Sequence, residues 1–369
     1  MDGVHLREQV LEYAKELGFV MVRVTTAEPL AQWQTIIDDR KAQEQGFIKS
    51  WGNRMITSDP TKIMEDAASI LVGLFPYLPY KEVVSKDCGV HSSYYNASHK
   101  GYQKIKQLAS FFNCQGYQAI PNPTLPAKAI AFRAGIGTFG KNGLLYDEKY
   151  GSFFSIDFLV TNAVLETDPP LGKISDCGSC RLCVDTCPVA AIGENGAIRL
   201  DRCLRNHMFS SEIIPEALRG YMGNRILGCD ICQNCCPKNQ RIVQQDDQTL
   251  LPLSVLLQGK GDTFKKIVTD IGNQWGNNYA RGQRLMAQAI IVAGNSRETF
   301  YIPYLSHTLR HEHPPIRAHS AWALGEIRAA ECKSCLQVAL LKEQHPDVLQ
   351  EIQRALEKCE GTSIFSDSE

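Results

Sequence analysis

The sequence predicts three consecutive parts: an α/β layer, a cysteine-rich module and a set of α-helical repeats. Three observations carry this. Apolar residues switch between helical and strand spacing over the first 160 residues. Seven cysteines fall in two tight groups between 177 and 236. Alanine-rich helical segments recur after residue 280. The expected boundaries are 1–165, 166–245 and 246–369.

The chain has 369 residues, enough for two or three domains, and 44% of them are hydrophobic, an ordinary share for a globular protein. Its formal net charge is −1, so any face for a polyanion must be local. Met1-Asp2-Gly3-Val4-His5 lacks the basic start and apolar core of a signal peptide. No apolar run reaches membrane-spanning length. Fourteen cysteines without an export signal point to a reducing, cytoplasmic setting and no membrane partner.

In the first part, Leu6, Val10, Leu11, Ala14 and Leu17 share one face of a helix that Gly18 ends. Val20, Val22 and Val24 alternate as a strand. Ser69 to Leu74 reads as a buried strand before Phe75-Pro76. Tyr102, Ile105, Leu108 and Phe112 return to helical spacing, Gln118 to Pro121 is extended, and a helix starts near Ala127. Phe153 to Val160 is again strand-like. Strands alternating with helices make an α/β layer. Arg133-Ala-Gly-Ile-Gly-Thr-Phe-Gly-Lys-Asn142 stands out: Gly135, Gly137 and Gly140 let backbone approach a ligand, and Lys141 and Asn142 add donors. The same glycines also suit a tight helix-to-strand turn.

In the second part, Cys177, Cys180, Cys183 and Cys187 stand in C-x2-C-x2-C-x3-C, followed by Pro188. This is the spacing of bacterial ferredoxins, in which three thiolates wrap one [4Fe–4S] cluster and the fourth reaches the other. Cys229, Cys232 and Cys236, followed by Pro237, form the second group. Two C-x2-C pairs alone would also suit zinc; the C-x3-C-P ending, present twice, decides for two [4Fe–4S] clusters. Eight thiolates are needed. Cys235 adjoins Cys236, and neighbouring side chains diverge, so Cys203 is the expected eighth. The first cluster then takes Cys177, Cys180, Cys183 and Cys236, and the second Cys187, Cys203, Cys229 and Cys232. Cys88, Cys114, Cys332, Cys335 and Cys359 read as small core residues. Two clusters form an electron wire, so the rest of the chain should hold an acceptor.

In the third part, Arg284-Leu-Met-Ala-Gln-Ala-Ile-Ile-Val-Ala-Gly294 resembles Arg317-Ala-His-Ser-Ala-Trp-Ala-Leu-Gly325, and Leu349 to Leu356 is a fainter copy. The repeat, about 31 residues from Gly294 to Gly325, suggests HEAT-like helical pairs, which usually form a binding surface. The stretch from Ile271 to Arg297 has no acid and carries Arg281, Arg284 and Arg297. It reads equally as a phosphate-binding face or a solvated one.

The order of these parts, together with Ala134-Gly-Ile-Gly137, Lys141-Asn142, Glu148-Lys-Tyr-Gly-Ser152, Ser175 to Pro188, Asp201-Arg-Cys203, Gly228-Cys-Asp-Ile-Cys232 and Ala321-Trp-Ala-Leu-Gly325, resembles the epoxyqueuosine reductase family over nearly the full length. The resemblance implies that the N-terminal domain binds cobalamin and that the cluster module is bacterial-ferredoxin-like. It implies electron flow from the cluster of Cys187, Cys203, Cys229 and Cys232 to the corrin, and from there to epoxyqueuosine in tRNA or another small molecule. The corrin contacts it implies are Arg54, Gly135, Gly137, Lys141, Asn142, Leu145, Ser152, Ile156, Arg205 and Asp230. A flavodoxin or ferredoxin would be the electron donor. Rival readings are a corrinoid reductase serving a partner protein and a non-catalytic ferredoxin-like adaptor.

One departure matters. The family carries a proton-donating aspartate twelve residues before the arginine of R-A-G; here that position is Pro121, and no Asp or Glu lies between Gln115 and Tyr146. The family's D-Y-H segment becomes Lys100-Gly-Tyr-Gln103. No catalytic residue transfers. Tyr102 and Lys128 are the local replacement candidates.

Overall fold

The computed structural model describes residues 3–42, 57–81, 83–172, 174–175, 177–246 and 248–360. Its internal contacts divide the chain into two units. The first comprises Met1–Tyr80, Ser93–Asp201 and Asp230–Asp246; the second comprises Lys81–Ser92, Arg202–Cys229 and Asp247–Glu369. This division follows different lines from the three consecutive spans expected from sequence: the first unit runs on past residue 165 to Asp201, while Lys81–Ser92 and Arg202–Cys229 belong to the second.

The first unit is built on a four-stranded sheet of order β1-β2-β7-β4. Its strands are β1 (Met21–Thr26), β2 (Ser69–Pro76), β4 (Ala119–Pro121) and β7 (Phe154–Thr161). All three pairings are antiparallel, with Val72 opposite Phe158 and Pro121 opposite Leu159. Alternate residues of a strand face opposite sides, so the sheet serves two cores. On one side Ile70, Val72, Leu74, Phe154, Phe158 and Val160 pack with Ile130 and Ala134 from the end of helix α4 (Ala127–Arg133). On the other, Leu71 and Leu159 pack with Leu6 and Val10 of α1 (Gly3–Glu16) and with Ile105, Leu108 and Phe112 of α3 (Tyr94–Cys114). Among the described residues, the remaining long helix here is α2 (Ala31–Ala42). Each strand and helix expected from apolar spacing in this layer is present within a few residues.

The loop after α4 runs into a small hairpin, β5 (Thr138–Phe139) with β6 (Leu145–Tyr146). Gly137 has φ +62°, and a Cβ there would lie 2.5 Å from the Tyr146 carbonyl oxygen. Only glycine makes this turn, so its conformation answers a requirement of the hairpin itself.

In the second unit, β3 (Cys88–Gly89) pairs with β8 (Leu251–Pro252). The helices α5 (Asp262–Trp275), α6 (Gly282–Ser296), α7 (Pro314–Ile327), α8 (Ala330–Leu340) and α9 (Pro346–Glu360) follow. The sequence repeat has a geometric counterpart. A Cβ on Gly294 would stand 2.8 Å from Cα of Ala323, and one on Gly325 would stand 2.8 Å from Cα of Ala355. Both helices end in a left-handed arginine, Arg297 at φ +57° and Arg328 at φ +58°. The helices thus step against one another backbone to backbone at the same interval as the sequence.

The array fastens the 202–229 segment with polar side chains. Gln288, 1% exposed, accepts from the Leu227 amide at 2.9 Å and donates to the Met208 carbonyl at 3.0 Å. Arg219 donates to both carboxylate oxygens of Glu351 at 2.8 and 2.7 Å. His319 accepts from the Ile214 amide at 2.9 Å. Burial and the neighbouring Arg219 charge hold the imidazole of His319 well below its usual range, in the neutral form that can accept.

Candidate functional site

The glycine loop and the cysteine loop meet in the first unit. Lys141 Nζ donates to the carbonyls of Gly178 (3.0 Å) and Cys180 (2.8 Å). Asn142 Nδ2 donates to the Tyr146 hydroxyl at 2.7 Å and to the Cys232 carbonyl at 2.8 Å. The Tyr146 hydroxyl in turn hydrogen-bonds to Cys236, and burial pushes its pKa up. Below them Ser152 closes a knot: its hydroxyl accepts from Gln233 at 3.0 Å and from Asn239 at 2.9 Å, while its amide donates to Asn239 Oδ1 at 2.9 Å. Asn142, Ser152, Gln233 and Asn239 are each under 9% exposed. A buried polar network of this kind fixes a single arrangement because every lost partner is costly. It holds the Cys229–Cys236 segment from Cys232 onward against the α/β layer.

The cysteines expected around the first cluster are neighbours. The Cys183 thiol is pushed up to about 11 by burial and by the adjacent groups of Cys235, Cys177, Cys236 and Cys180. Thiols crowded this way resist ionising together; iron supplies the positive charge that stabilises several thiolates at once, so this donor set fits a cluster. Among the described residues, no three His, Cys, Asp or Glu converge as a site for a single ion. Cys187 Sγ accepts from the Ala191 amide at 3.3 Å, the kind of bond to a ligand sulfur that tunes a cluster potential. Cys235, set aside from sequence, lies among the first group and bonds to the Thr186 side chain. Cys203 and Cys229 belong to the second unit.

The residues expected at the corrin divide in the structure. Arg54 lies outside the described residues. Lys141, Asn142 and Ser152 spend their polar groups on the cluster segments, as above. Leu145 is 2% exposed and belongs to the core against α4; Ile156 is half-buried against that core. Gly135 donates its amide to the Phe132 carbonyl at 3.0 Å. Arg205 stacks its guanidinium 4.9 Å from the Phe209 ring. The Asp230 carbonyl accepts from the amides of Gln233 and Asn234. Of the replacement proton donors, Lys128 Nζ donates to the Gly143 carbonyl at 2.7 Å, and Tyr102 is 38% exposed. Sequence reasoning missed Gln233, Asn239 and Tyr146; the first two lie close to Cys232 and Cys236 in the sequence, whereas Tyr146 has no cysteine near it and gave no signal.

Residues 176–239 match the family model described as a 4Fe-4S double cluster binding domain. An epoxyqueuosine reductase of Aliivibrio fischeri is 30% identical over 262 residues, covering 66% of this chain and 69% of that protein. The chain belongs to the epoxyqueuosine reductase family. The Staphylococcus aureus epoxyqueuosine reductase is 27% identical over 357 residues, covering 90% of this chain and 92% of that one. The fold agrees. A crystal structure of an epoxyqueuosine reductase with a tRNA-Tyr epoxyqueuosine-modified stem loop superposes with a TM-score of 0.83, at 23% identity over 96% of this chain and 99% of that one. The chain is therefore a reductase carrying a double-cluster domain on a mixed α/β and helical scaffold. Among the described residues of this reductase, no helix is long and apolar enough to cross a membrane.

Proposed function

We propose that this protein reduces epoxyqueuosine in tRNA to queuosine, passing electrons through two [4Fe–4S] clusters to a bound cobalamin. The observation that carries the reading is the clamp of Lys141 and Asn142 on the carbonyls of Gly178, Cys180 and Cys232. It ties the family's glycine loop rigidly to the segments that bear cluster ligands, and electron transfer needs such fixed spacing. Cobalamin, when bound, supplies a cobalt centre that takes up electrons and becomes a strong nucleophile or reductant. The chain's own part is to hold thiolates by Cys177, Cys180, Cys183 and Cys236, and by Cys187, Cys203, Cys229 and Cys232. The corrin contacts named from the resemblance are part of this proposal, with Ile156 as its half-buried apolar contact. So are the HEAT-like character of helices α5 to α9, tRNA as the partner, and a flavodoxin or ferredoxin as donor.

The test is anaerobic reconstitution with iron, sulfide and cobalamin, followed by incubation with an epoxyqueuosine-modified anticodon stem loop and a strong one-electron donor. Nucleoside mass should shift by the loss of one oxygen. A protein that carries both cofactors, reduces them and leaves the nucleoside unchanged would sink the substrate assignment.

A further inference from the structure

Tyr146 is 4% exposed, and its ring is seated on the third glycine of the loop. A Cβ added to Gly140 would fall 2.6 Å from Tyr146 Cε2 and 2.8 Å from Asn142 Oδ1. Gly140 lies outside the left-handed region, so the backbone has no need of glycine there. The aromatic ring and the amide beside it do. Gly140, Asn142, Tyr146, Ser152, Gln233, Cys236 and Asn239 all belong to the first unit.

The hydrogen bonds around the phenol fix the direction of its proton. Both ends of the Asn142 amide are committed: Oδ1 accepts from the Leu144 amide at 3.2 Å, and Nδ2 donates to the Cys232 carbonyl at 2.8 Å and to the Tyr146 hydroxyl at 2.7 Å. Asn239 is held the same way, with Oδ1 accepting from the Ser152 amide at 2.9 Å and Nδ2 donating to the Gln233 carbonyl at 2.7 Å. The Ser152 hydroxyl accepts from Gln233 and from Asn239. Both of its lone pairs are then filled, and its proton goes to the Tyr146 oxygen. The phenol oxygen thus accepts from Asn142 and Ser152, and its own proton is left for its other bonded neighbour, Cys236. Cys236 is tied into the same knot, because the Asn239 backbone amide donates to its carbonyl at 2.9 Å. An amide NH2 cannot accept, so the chain from Gln233 and Asn239 through Ser152 and Tyr146 to the sulfur cannot reverse. Hydrogen bonds aligned in this way polarise one another.

We propose that Tyr146 tunes the first cluster: its hydroxyl donates to the sulfur of Cys236, a thiolate once iron is bound, and makes that cluster easier to reduce. Gly140 and Asn142 act through it as positioning residues. The inference rests on Cys236 as a ligand of the first cluster, as proposed above, and is independent of the substrate. A hydrogen bond to a ligand sulfur withdraws charge from the iron. It strengthens as the sulfur becomes more negative, so the reduced state gains more from it than the oxidised state. One electron enters the cluster; no bond breaks, and the phenol keeps its proton.

The test is Tyr146→Phe in protein reconstituted with both clusters, in a redox titration followed by electron paramagnetic resonance. At a fixed poise the ratio of reduced to oxidised first cluster should fall about two- to tenfold, the worth of one ordinary hydrogen bond, while the second cluster keeps its ratio. An unchanged first-cluster ratio in a variant holding about eight irons overturns the inference. If Tyr146→Phe loses its fold or its iron, 3-fluorotyrosine at position 146 decides. Its more acidic hydroxyl keeps the place of the ring and donates more strongly, so the ratio should rise; a ratio that stays or falls overturns the inference. Cys236→Ala with full iron and wild-type potentials overturns the ligand assignment and this inference with it. No turnover enters these readings, so a failed substrate assignment leaves them unaffected.

Discussion

The Lys141 ammonium sits 2.8 Å from the carbonyl of Cys180. A positive charge so close to the loop of the first cluster stabilises an added electron there. Replacing Lys141 by Met should lower that cluster's midpoint potential by tens of millivolts, on the order of 1 kcal/mol for a partly screened charge. A redox titration followed by electron paramagnetic resonance reads this directly. An unchanged potential would mean that Lys141 serves only to fasten the loop.

Eight thiolates should hold about eight irons per chain. Cys203→Ala should remove roughly half of that iron, and Cys235→Ala should leave it in place. Because Cys235 lies among the first group of thiols, the reverse outcome would make it the better ligand. Iron and sulfide counts under anaerobic conditions settle the choice.

Gly137 cannot be replaced without cost. An added Cβ meets the Tyr146 carbonyl at 2.5 Å, at a φ that side chains rarely adopt. Gly137→Ala should destabilise the fold by roughly 1–3 kcal/mol, measured as a lower urea midpoint in protein without cofactors. The loss belongs to the hairpin, so it should appear whether or not cobalamin is present.

Arg219 and Glu351 form a buried pair with side chains 0% and 8% exposed. Removing one partner strands the other's charge, so Glu351→Ala should cost about 3–5 kcal/mol. Replacing both by apolar residues of similar volume should cost much less. Thermal midpoints of the single and double variants give the comparison.

His91 is buried against Trp275, with ring centroids 4.1 Å apart, and burial lowers its pKa to about 4. Between pH 6.5 and about 4 the unfolded chain takes up a proton that the folded chain refuses. Stability contributed by the neutral ring is complete above pH 6.5 and falls as the pH drops toward 4, by roughly 3 kcal/mol. His91→Gln should flatten that slope in denaturant midpoints recorded across this range.

Periodicity made the sheet and its helices legible: Val22 and Val24 lie in β1, and Ile105, Leu108 and Phe112 face the core from α3. The cysteine spacing was legible because cluster geometry dictates it. Lys141 and Asn142 stand out in the sequence as polar donors beside a glycine loop, but spacing alone could not say that they bond to carbonyls of the cysteine segments. The hydrogen bond from Asn122 to Asp157 was not legible. They lie 35 residues apart, and a hydrogen bond between distant segments leaves no periodic trace. The two-residue strands β3 and β8 are too short to show alternation, so the exchange of segments between the units was also hidden.

That exchange has a consequence in time. During synthesis β3 must wait for β8, about 160 residues later, or roughly 8 to 30 s at ribosomal speed. Ser152 likewise waits for Gln233 and Asn239. Neither unit can finish on a nascent chain that stops before residue 230, although Cys177 to Cys187 have already been made. Stalled chains of that length should therefore bind iron poorly and lose thiols quickly in air, compared with released protein. For an organism making this enzyme, the interval between translating the first cysteine loop and closing it is the period of greatest risk from oxygen.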